Sequence, residues 1–366
     1  MFRPLTLPLR VAFALSFVGV VRATPPAWDH IVIVINENKS FTQVLGNPID
    51  APFINNTLRA GGAVLADMYA ITHPSQPNYL HLFSGDNQGV IHNSDTSGNP
   101  PFNTPNLAAK LIAAGRTFTG YSENLPSIGY TGYQTDDGLY SRRHNPWVQW
   151  QADEAPASNH LPPSINQPFS AFPMTPATFG SLPSVSIVIP NNQNNMHDAP
   201  ILHGDAWLQS NLGAYAAWAK DNNSLLIVTF DEDNYFFRNR IPTVFYGAHV
   251  VAGAVVDGTW TLHNLLHTVA AANRIAHSGA SNDVRSIVGA FTSDEQVVTA
   301  TFRQGVNGYA GTTDTYIKSM DPDAAHGTSP EADVVADVSS LSQGLIRFDN
   351  LFGPGLSQVP LGATIL

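Results

Sequence analysis

Four polar clusters in this sequence have residue types suited to chemistry on an anionic group. Three follow apolar runs: Glu37-Asn38, the stretch from Asn191 to Asp198, and Asp231-Glu232. Carboxylates and carboxamides, in a chain without cysteine, suit a hard divalent cation such as Mg²⁺, Ca²⁺ or Mn²⁺, with Zn²⁺ left open. The plain alternative is that each cluster is a solvated loop. The fourth cluster is Thr72-His73-Pro74-Ser75-Gln76-Pro77-Asn78, ahead of helical-looking sequence from Tyr79 to Phe83. A hydroxyl at a helix start sees unpaired N–H groups and the positive end of the helix dipole, which makes a natural phosphate site. The same position also suits a serine that only caps the helix.

The elements that would position these clusters are strands. His30-Ile31-Val32-Ile33-Val34-Ile35 and Ser224-Leu225-Leu226-Ile227-Val228-Thr229-Phe230 are continuous apolar runs, as expected for strands buried on both faces of a parallel sheet. Ser184 to Pro190, Thr117 to Tyr121, Ala63 to Met68 and one or two segments between Val244 and Val256 read as further strands. Asn106 to Ala114, Ala206 to Lys220 and Leu262 to Asn273 read as helices. Strands alternating with helices predict an α/β fold, a mainly parallel sheet flanked by helices. In such a sheet the strand ends meet at one edge, where ligands bind. Asp205 reads as a support for the His197 loop, since Gly204-Asp205-Ala206-Trp207 begins a helix and Asp is a good cap there. His203, His249, His263 and His267 read as structural, and Asn55-Asn56-Thr57 and Asn222-Asn223-Ser224 match the glycosylation pattern.

Composition narrows the function classes. The 366 residues suffice for a large α/β domain plus a smaller unit. Net charge is −11 and only 12% of residues are charged, which argues against binding a nucleic-acid backbone or an anionic lipid surface by bulk electrostatics. Any anionic substrate must be met by a local device. Arg3 and Arg10 precede an apolar stretch from Val11 to Val21, and Val21-Arg22-Ala23 offers small residues for cleavage. Residues 1–23 therefore read as an export signal too short to span a membrane, predicting a secreted protein with no transmembrane segment. An N-terminal anchor is the alternative reading.

The segments HIVIVINENKSF, THPSQPNYLHLFSGDNQGV, RRHNPW, NNMHD with GDAWL, and VTFDEDN, taken in this order, resemble the phosphoesterase family that holds acid phosphatases and non-specific phospholipases C. The resemblance covers about residues 28 to 290 and implies an alkaline phosphatase-like fold. It implies Ser75 as a nucleophile that forms a phosphoseryl intermediate, and Glu37, Asn38, Asp231 and Glu232 as metal ligands. The family often has Asp where this chain has Glu232. Asn78 would donate a hydrogen bond to a phosphoryl oxygen. His144 and His197 would contact phosphate or act as general acid, and His73 and Asp198 would line the substrate site.

From about residue 297 to 366 the sequence turns Gly/Asp/Thr-rich with short alternating strands, predicting a small C-terminal β-rich appendage after a catalytic domain over 24–292. Its segments FRQGVNGYAGTTDTYI and GLIRFDNL resemble the opening part of a β-sandwich module of secreted enzymes, of the DNRLRE or carbohydrate-binding type. That resemblance implies contact with glycan or cell wall. The favoured expectation is a metal-dependent phosphomonoesterase acting on a small phosphate ester or a phospholipid headgroup. A phosphodiesterase of the phospholipase C kind is the nearest alternative. A non-catalytic surface or glycan-binding protein is the alternative of another class.

Overall fold

The computed structural model describes residues 15–20, 25–152, 158–292, 297–302, 310–321, 323–324, 336–337, 340–349, 351 and 364–365. The chain divides into two compact units, one from Thr24 to Ser293 and one joining residues 1–23 to 294–366.

The larger unit is an α/β layer structure around one eight-stranded sheet. Its strands are β1 (His30–Asn36), β2 (Ala63–Tyr69), β3 (Phe118–Ser122), β4 (Asn166–Pro168), β5 (Val185–Ile189), β6 (Ser224–Phe230), β7 (Val244–Gly247) and β8 (Ala254–Thr261). They lie in the order β4-β3-β5-β1-β6-β7-β2-β8. Only β7 runs against the others, pairing antiparallel with β6 and with β2. The remaining neighbours are parallel.

The strand composition explains this layout. Every residue of β6 is buried, as are six of the seven in β1, because β-branched and leucine side chains must be covered on both faces of a central parallel strand. The edge strand β8 instead is half exposed, with only Val256 and Trp260 buried. Helices α1 (Ser75–Ser84), α2 (Leu107–Ala113), α3 (Ile201–Ala219) and α4 (Leu262–Ala272) cover the sheet. On β3, Gly120 admits the Trp147 ring so closely that an added Cβ would lie 2.1 Å from it. Trp147 is fully buried and its indole N–H donates to Asn166 Oδ1 at 2.9 Å, so the irregular 141–151 segment is pinned to the sheet.

Three sequence expectations change. Helix α3 begins at Ile201, ahead of the expected Ala206. Asp205 therefore sits inside it as a buried acceptor for the amides of Phe53 and Ile54 at 2.7 and 2.9 Å, and does not cap its own helix. Asn55 is buried with its amide donating to Val44 and Ala51 carbonyls, so its glycosylation pattern is inaccessible.

In the smaller unit, Leu15–Val20 pairs antiparallel with Val297–Phe302 and with Thr364–Ile365. Thr312–Lys318 and Ala336–Asp337 both pair antiparallel with Ser340–Phe348. This part is β-rich, as expected. Arg3, Arg10 and Val21-Arg22-Ala23, together with residues 303–309 of the first C-terminal segment and Asn350 of the second, lie outside the described residues. Among the described residues no helix is long and apolar enough to cross a membrane.

Candidate active site

Seven of the eight strands share one direction, so their C-terminal ends share one edge of the sheet. Glu37 follows β1, Ser75 follows β2, Asn191 to Asp198 follow β5, and Asp231-Glu232 follow β6. Residues far apart in sequence therefore converge. Ser75 Oγ donates to Glu232 Oε1 at 2.8 Å and lies 3.3 Å from Glu37 Oε2. Asn38 donates its backbone N–H to Asp231 Oδ1 at 3.0 Å and its side-chain amide to Glu232 Oε1 at 2.9 Å.

Pro74 takes the cap position of α1 and Ser75 is the first helical residue, with its hydroxyl bonded to Glu232 and Glu37. Its hydroxyl is spent on carboxylates, so the capping alternative is set aside. Helix α1 ends at Gly85, which takes the left-handed conformation with φ 76°, where a residue without Cβ is favoured.

The electrostatics of this cluster are unusual. Glu37, Asp231 and Glu232 are all nearly fully buried. Burial first, and then the charge of Asp231, raises the Glu37 carboxyl well above its ordinary range. Burial and then the Glu232 charge raise Asp231. Glu232 is raised chiefly by burial, opposed by the bonds from Ser75 and Asn38. Three such groups repel one another in a medium of low polarity unless a cation joins them.

Among the described residues, no three His, Asp or Glu side chains already stand in coordination geometry. Their oxygens face Ser75, Tyr79, Asn38 and His73 instead. The donor set nonetheless fits a hard divalent ion. It is oxygen-rich and buried, and Asp231 Oδ2 and Asn38 Oδ1 have no hydrogen-bond partner.

The histidines divide. His144 is buried, with Nε2 3.4 Å from Glu37 Oε1 and its ring stacked on Tyr79. Burial, and then the Arg143 charge, lowers its pKa well below the usual histidine range. His73 bonds Glu232 through Nδ1 and lies 3.4 Å from Asp233 Oδ1 through Nε2. His197 is half exposed and hydrogen-bonded to Asp198 Oδ1 at 2.5 Å. Its loop hangs on the site through Asn195, whose carbonyl accepts the Glu37 N–H at 2.8 Å.

Asn78 is placed differently from expectation. Its Oδ1 accepts the amides of Ile71 and Thr72, each at 3.0 Å, while its Nδ2 donates to Thr72 O at 2.7 Å and Pro74 O at 3.4 Å. The amide shapes the turn that presents Ser75, which leaves little of it for a phosphoryl oxygen.

Several residues here were not singled out in the sequence. Tyr79 donates its hydroxyl to Glu37. Lys39 is partly buried, and burial lowers its pKa against the opposing pull of Glu37, Asp231 and Asp198. Glu123, after β3, accepts Asn191 N–H at 2.9 Å, the Asn194 amide at 2.8 Å and Trp207 Nε1–H at 3.0 Å, so it fixes the loop that carries His197.

Residues 47–275 match the model of the phosphoesterase family. Over 256 residues the chain is 46% identical to the phosphatidylinositol-3-phosphatase of Mycobacterium tuberculosis, a match covering 70% of this chain and 80% of that protein. It is 30% identical over 224 residues to an acid phosphatase of Aspergillus fumigatus, covering 58% of this chain and 49% of that one. The chain thus spans about half the length of that fungal relative. Among solved structures it is similar to an alkaline phosphatase superfamily protein from Vibrio parahaemolyticus, with 11% identity, TM-score 0.44, and coverage of 70% of this chain and 68% of that one. With five separated segments converging on one hydroxyl-bearing, carboxylate-lined site, the chain belongs to the phosphoesterase family and is a phosphoric ester hydrolase.

Proposed function

We propose that this protein is an exported, divalent-metal-dependent phosphomonoesterase that works through a phosphoseryl intermediate on Ser75. The observation that carries the reading is the position of Ser75 Oγ, 3.3 Å from Glu37 and 2.8 Å from Glu232. A free serine hydroxyl is a poor nucleophile. Here its proton faces a carboxylate oxygen, and its backbone N–H lies in the first turn of α1, where unpaired donors favour an arriving phosphate.

Glu37, Asn38, Asp231 and Glu232 would hold the cation, which when bound would neutralise charge on the phosphoryl group and favour the ionised serine. Ser75 Oγ gives up its proton and bonds to phosphorus as the ester P–O bond breaks, and the leaving alcohol takes a proton. Water then attacks the phosphoseryl phosphorus and inorganic phosphate departs, while Ser75 Oγ regains a proton. His197, exposed and oriented by Asp198, suits proton delivery to the leaving oxygen. His144, buried against Glu37 and Tyr79, suits positioning. Asn78 acts through the 71–74 turn, and His73 and Lys39 border the space where the ester sits.

The name of the mycobacterial relative favours a monoester on a lipid headgroup, and the fungal relative favours a small soluble monoester. The test is a paired assay of the full chain on p-nitrophenyl phosphate and p-nitrophenylphosphorylcholine, with and without EDTA. Hydrolysis of the first alone, abolished by EDTA and restored by a divalent ion, is expected. Preference for the second, or full activity after exhaustive chelation, contradicts the proposal.

A further inference from the structure

The loop that follows the acidic pair of β6 turns three aromatic side chains outward. Tyr235, Phe236 and Phe237 are 61%, 80% and 50% exposed, and Arg238 beside them is exposed as well. The exposure is built in. Asp233 is buried and its carboxylate accepts the amides of Tyr235 at 2.6 Å, Phe237 at 2.8 Å and Asn239 at 2.9 Å. The Asp233 N–H donates back to Asn239 Oδ1 at 2.9 Å, and the Asn239 amide donates to Thr72 O at 2.7 Å. Tyr235, Arg238 and Asn239 all hold positive φ, at 70°, 57° and 62°, a region that non-glycine residues enter only when the surroundings demand it. The finger is therefore a stiff projection clamped onto the turn that carries His73 and Ser75.

Its place is the mouth of the site. The Tyr235 ring stacks on His73 with centroids 4.0 Å apart, and His73 bonds Glu232, which in turn bonds Ser75. Whatever meets Phe236 and Phe237 thus lies next to the incoming phosphate ester. We propose that Tyr235 to Arg238 form a membrane-docking finger that seats the enzyme on an anionic lipid surface and presents headgroup phosphate monoesters to Ser75. The inference rests on the phosphomonoesterase reading given above.

Two arguments favour a lipid surface over other occupants. Three aromatic rings offer on the order of 400 Å² of apolar surface, about half of what each partner contributes to a stable protein pair. Phenylalanine and tyrosine next to an arginine suit a bilayer interface, where rings enter the headgroup layer and the cation meets phosphate. The net charge of −11 opposes adsorption on an anionic surface by bulk charge, so the docking proposed here rests on local apolar insertion at one point.

The test compares the full chain with its Phe236→Ser/Phe237→Ser variant. Neither side chain belongs to the catalytic cluster, and both are exposed. Phosphatidylcholine vesicles carrying a minority of phosphatidic acid serve as lipid, and p-nitrophenyl phosphate as soluble substrate. The double variant is expected to lose about tenfold or more in vesicle co-sedimentation and in phosphate release from the vesicles, with unchanged hydrolysis of the soluble ester. Raising the salt concentration should leave wild-type co-sedimentation largely intact. A Phe236→Trp variant should show a blue-shifted emission on vesicle addition.

Equal vesicle binding by wild type and double variant overturns the proposal. So does a wild-type chain that cleaves the soluble ester without binding vesicles, and that result leaves the phosphatase reading standing. A dimer that the substitutions convert to monomer assigns the finger to a second copy and also overturns it. Phe-dependent vesicle binding with no turnover of either substrate supports the finger and contradicts the phosphatase reading.

Discussion

Ser75 and Glu232, 157 positions apart in the chain, meet through a 2.8 Å hydrogen bond from hydroxyl to carboxylate. The sheet makes that contact: β2 and β6 run the same way with β7 between them, so both strands deliver their C-terminal loops to one edge. A serine that faces buried carboxylates in place of capping its own helix is placed for reaction.

Replacing that serine tests its role. Ser75→Ala removes one buried oxygen and costs α1 no cap, because the cap position is Pro74. Turnover on p-nitrophenyl phosphate should fall at least about 10³-fold, with far-UV circular dichroism and Tm close to wild type. Retained activity would eliminate Ser75 as nucleophile.

The acidic cluster makes a thermodynamic prediction separate from activity. Glu37, Asp231 and Glu232 are buried together and each is raised above its ordinary pKa, with burial the leading cause. A divalent ion that joins them should raise the Tm of EDTA-stripped protein by ordinary linkage. Glu37→Gln and Asp231→Asn should each reduce that gain. Differential scanning calorimetry across Mg²⁺, Mn²⁺, Ca²⁺ and Zn²⁺ reads it directly, and a Tm indifferent to all four ions would remove the cation from the account.

Much of this site was legible in the sequence, for a physical reason. Buried parallel strands need unbroken β-branched runs, and His30–Asn36 and Ser224–Phe230 supply them, so the polar residues just beyond were identifiable as strand-end groups. The direction of Val244–Gly247 was not legible, because apolar patterning is the same for a strand read either way. Nor were Tyr79, Glu123 and Asp233. Each acts through a contact distant in sequence or through backbone amides of a loop, and residue type carries no mark of that. Asp205 misled because an acidic residue near a helix start suits a cap, whereas its partners lie 151 and 152 positions away.

That buried carboxylate has a measurable structural role. Asp205→Ala leaves the amides of Phe53 and Ile54 without an acceptor. Two unmet buried donors should cost about 2–4 kcal/mol, read as a lower midpoint in urea at unchanged slope. Asp205→Asn keeps an acceptor oxygen and should recover part of the loss. A variant as stable as wild type would mean that water satisfies those amides.

A histidine pair sets an acid limit on stability. His263 Nε2 lies 3.0 Å from His81 Nδ1. Burial, and then the neighbouring His81, lowers His263 from 6.5 to about 4. The folded state thus favours the neutral ring. Above pH 6.5 both states are neutral and nothing is lost, but as pH falls from 6.5 toward 4 the unfolded chain takes up the proton first and stability declines. The partial exposure of the pair reduces the effect to roughly 1–2 kcal/mol. His263→Gln should flatten the acid limb of the Tm–pH curve, and an unchanged limb would assign it to other groups.

The central claim is that Ser75 carries the phosphoryl group during turnover. Radiolabelled phosphate ester, mixed with enzyme and quenched in acid within the first turnover, should leave label on the peptide containing Ser75 and none on the Ser75→Ala protein. Full turnover without label on the wild-type chain, or equal labelling of the variant, would contradict it.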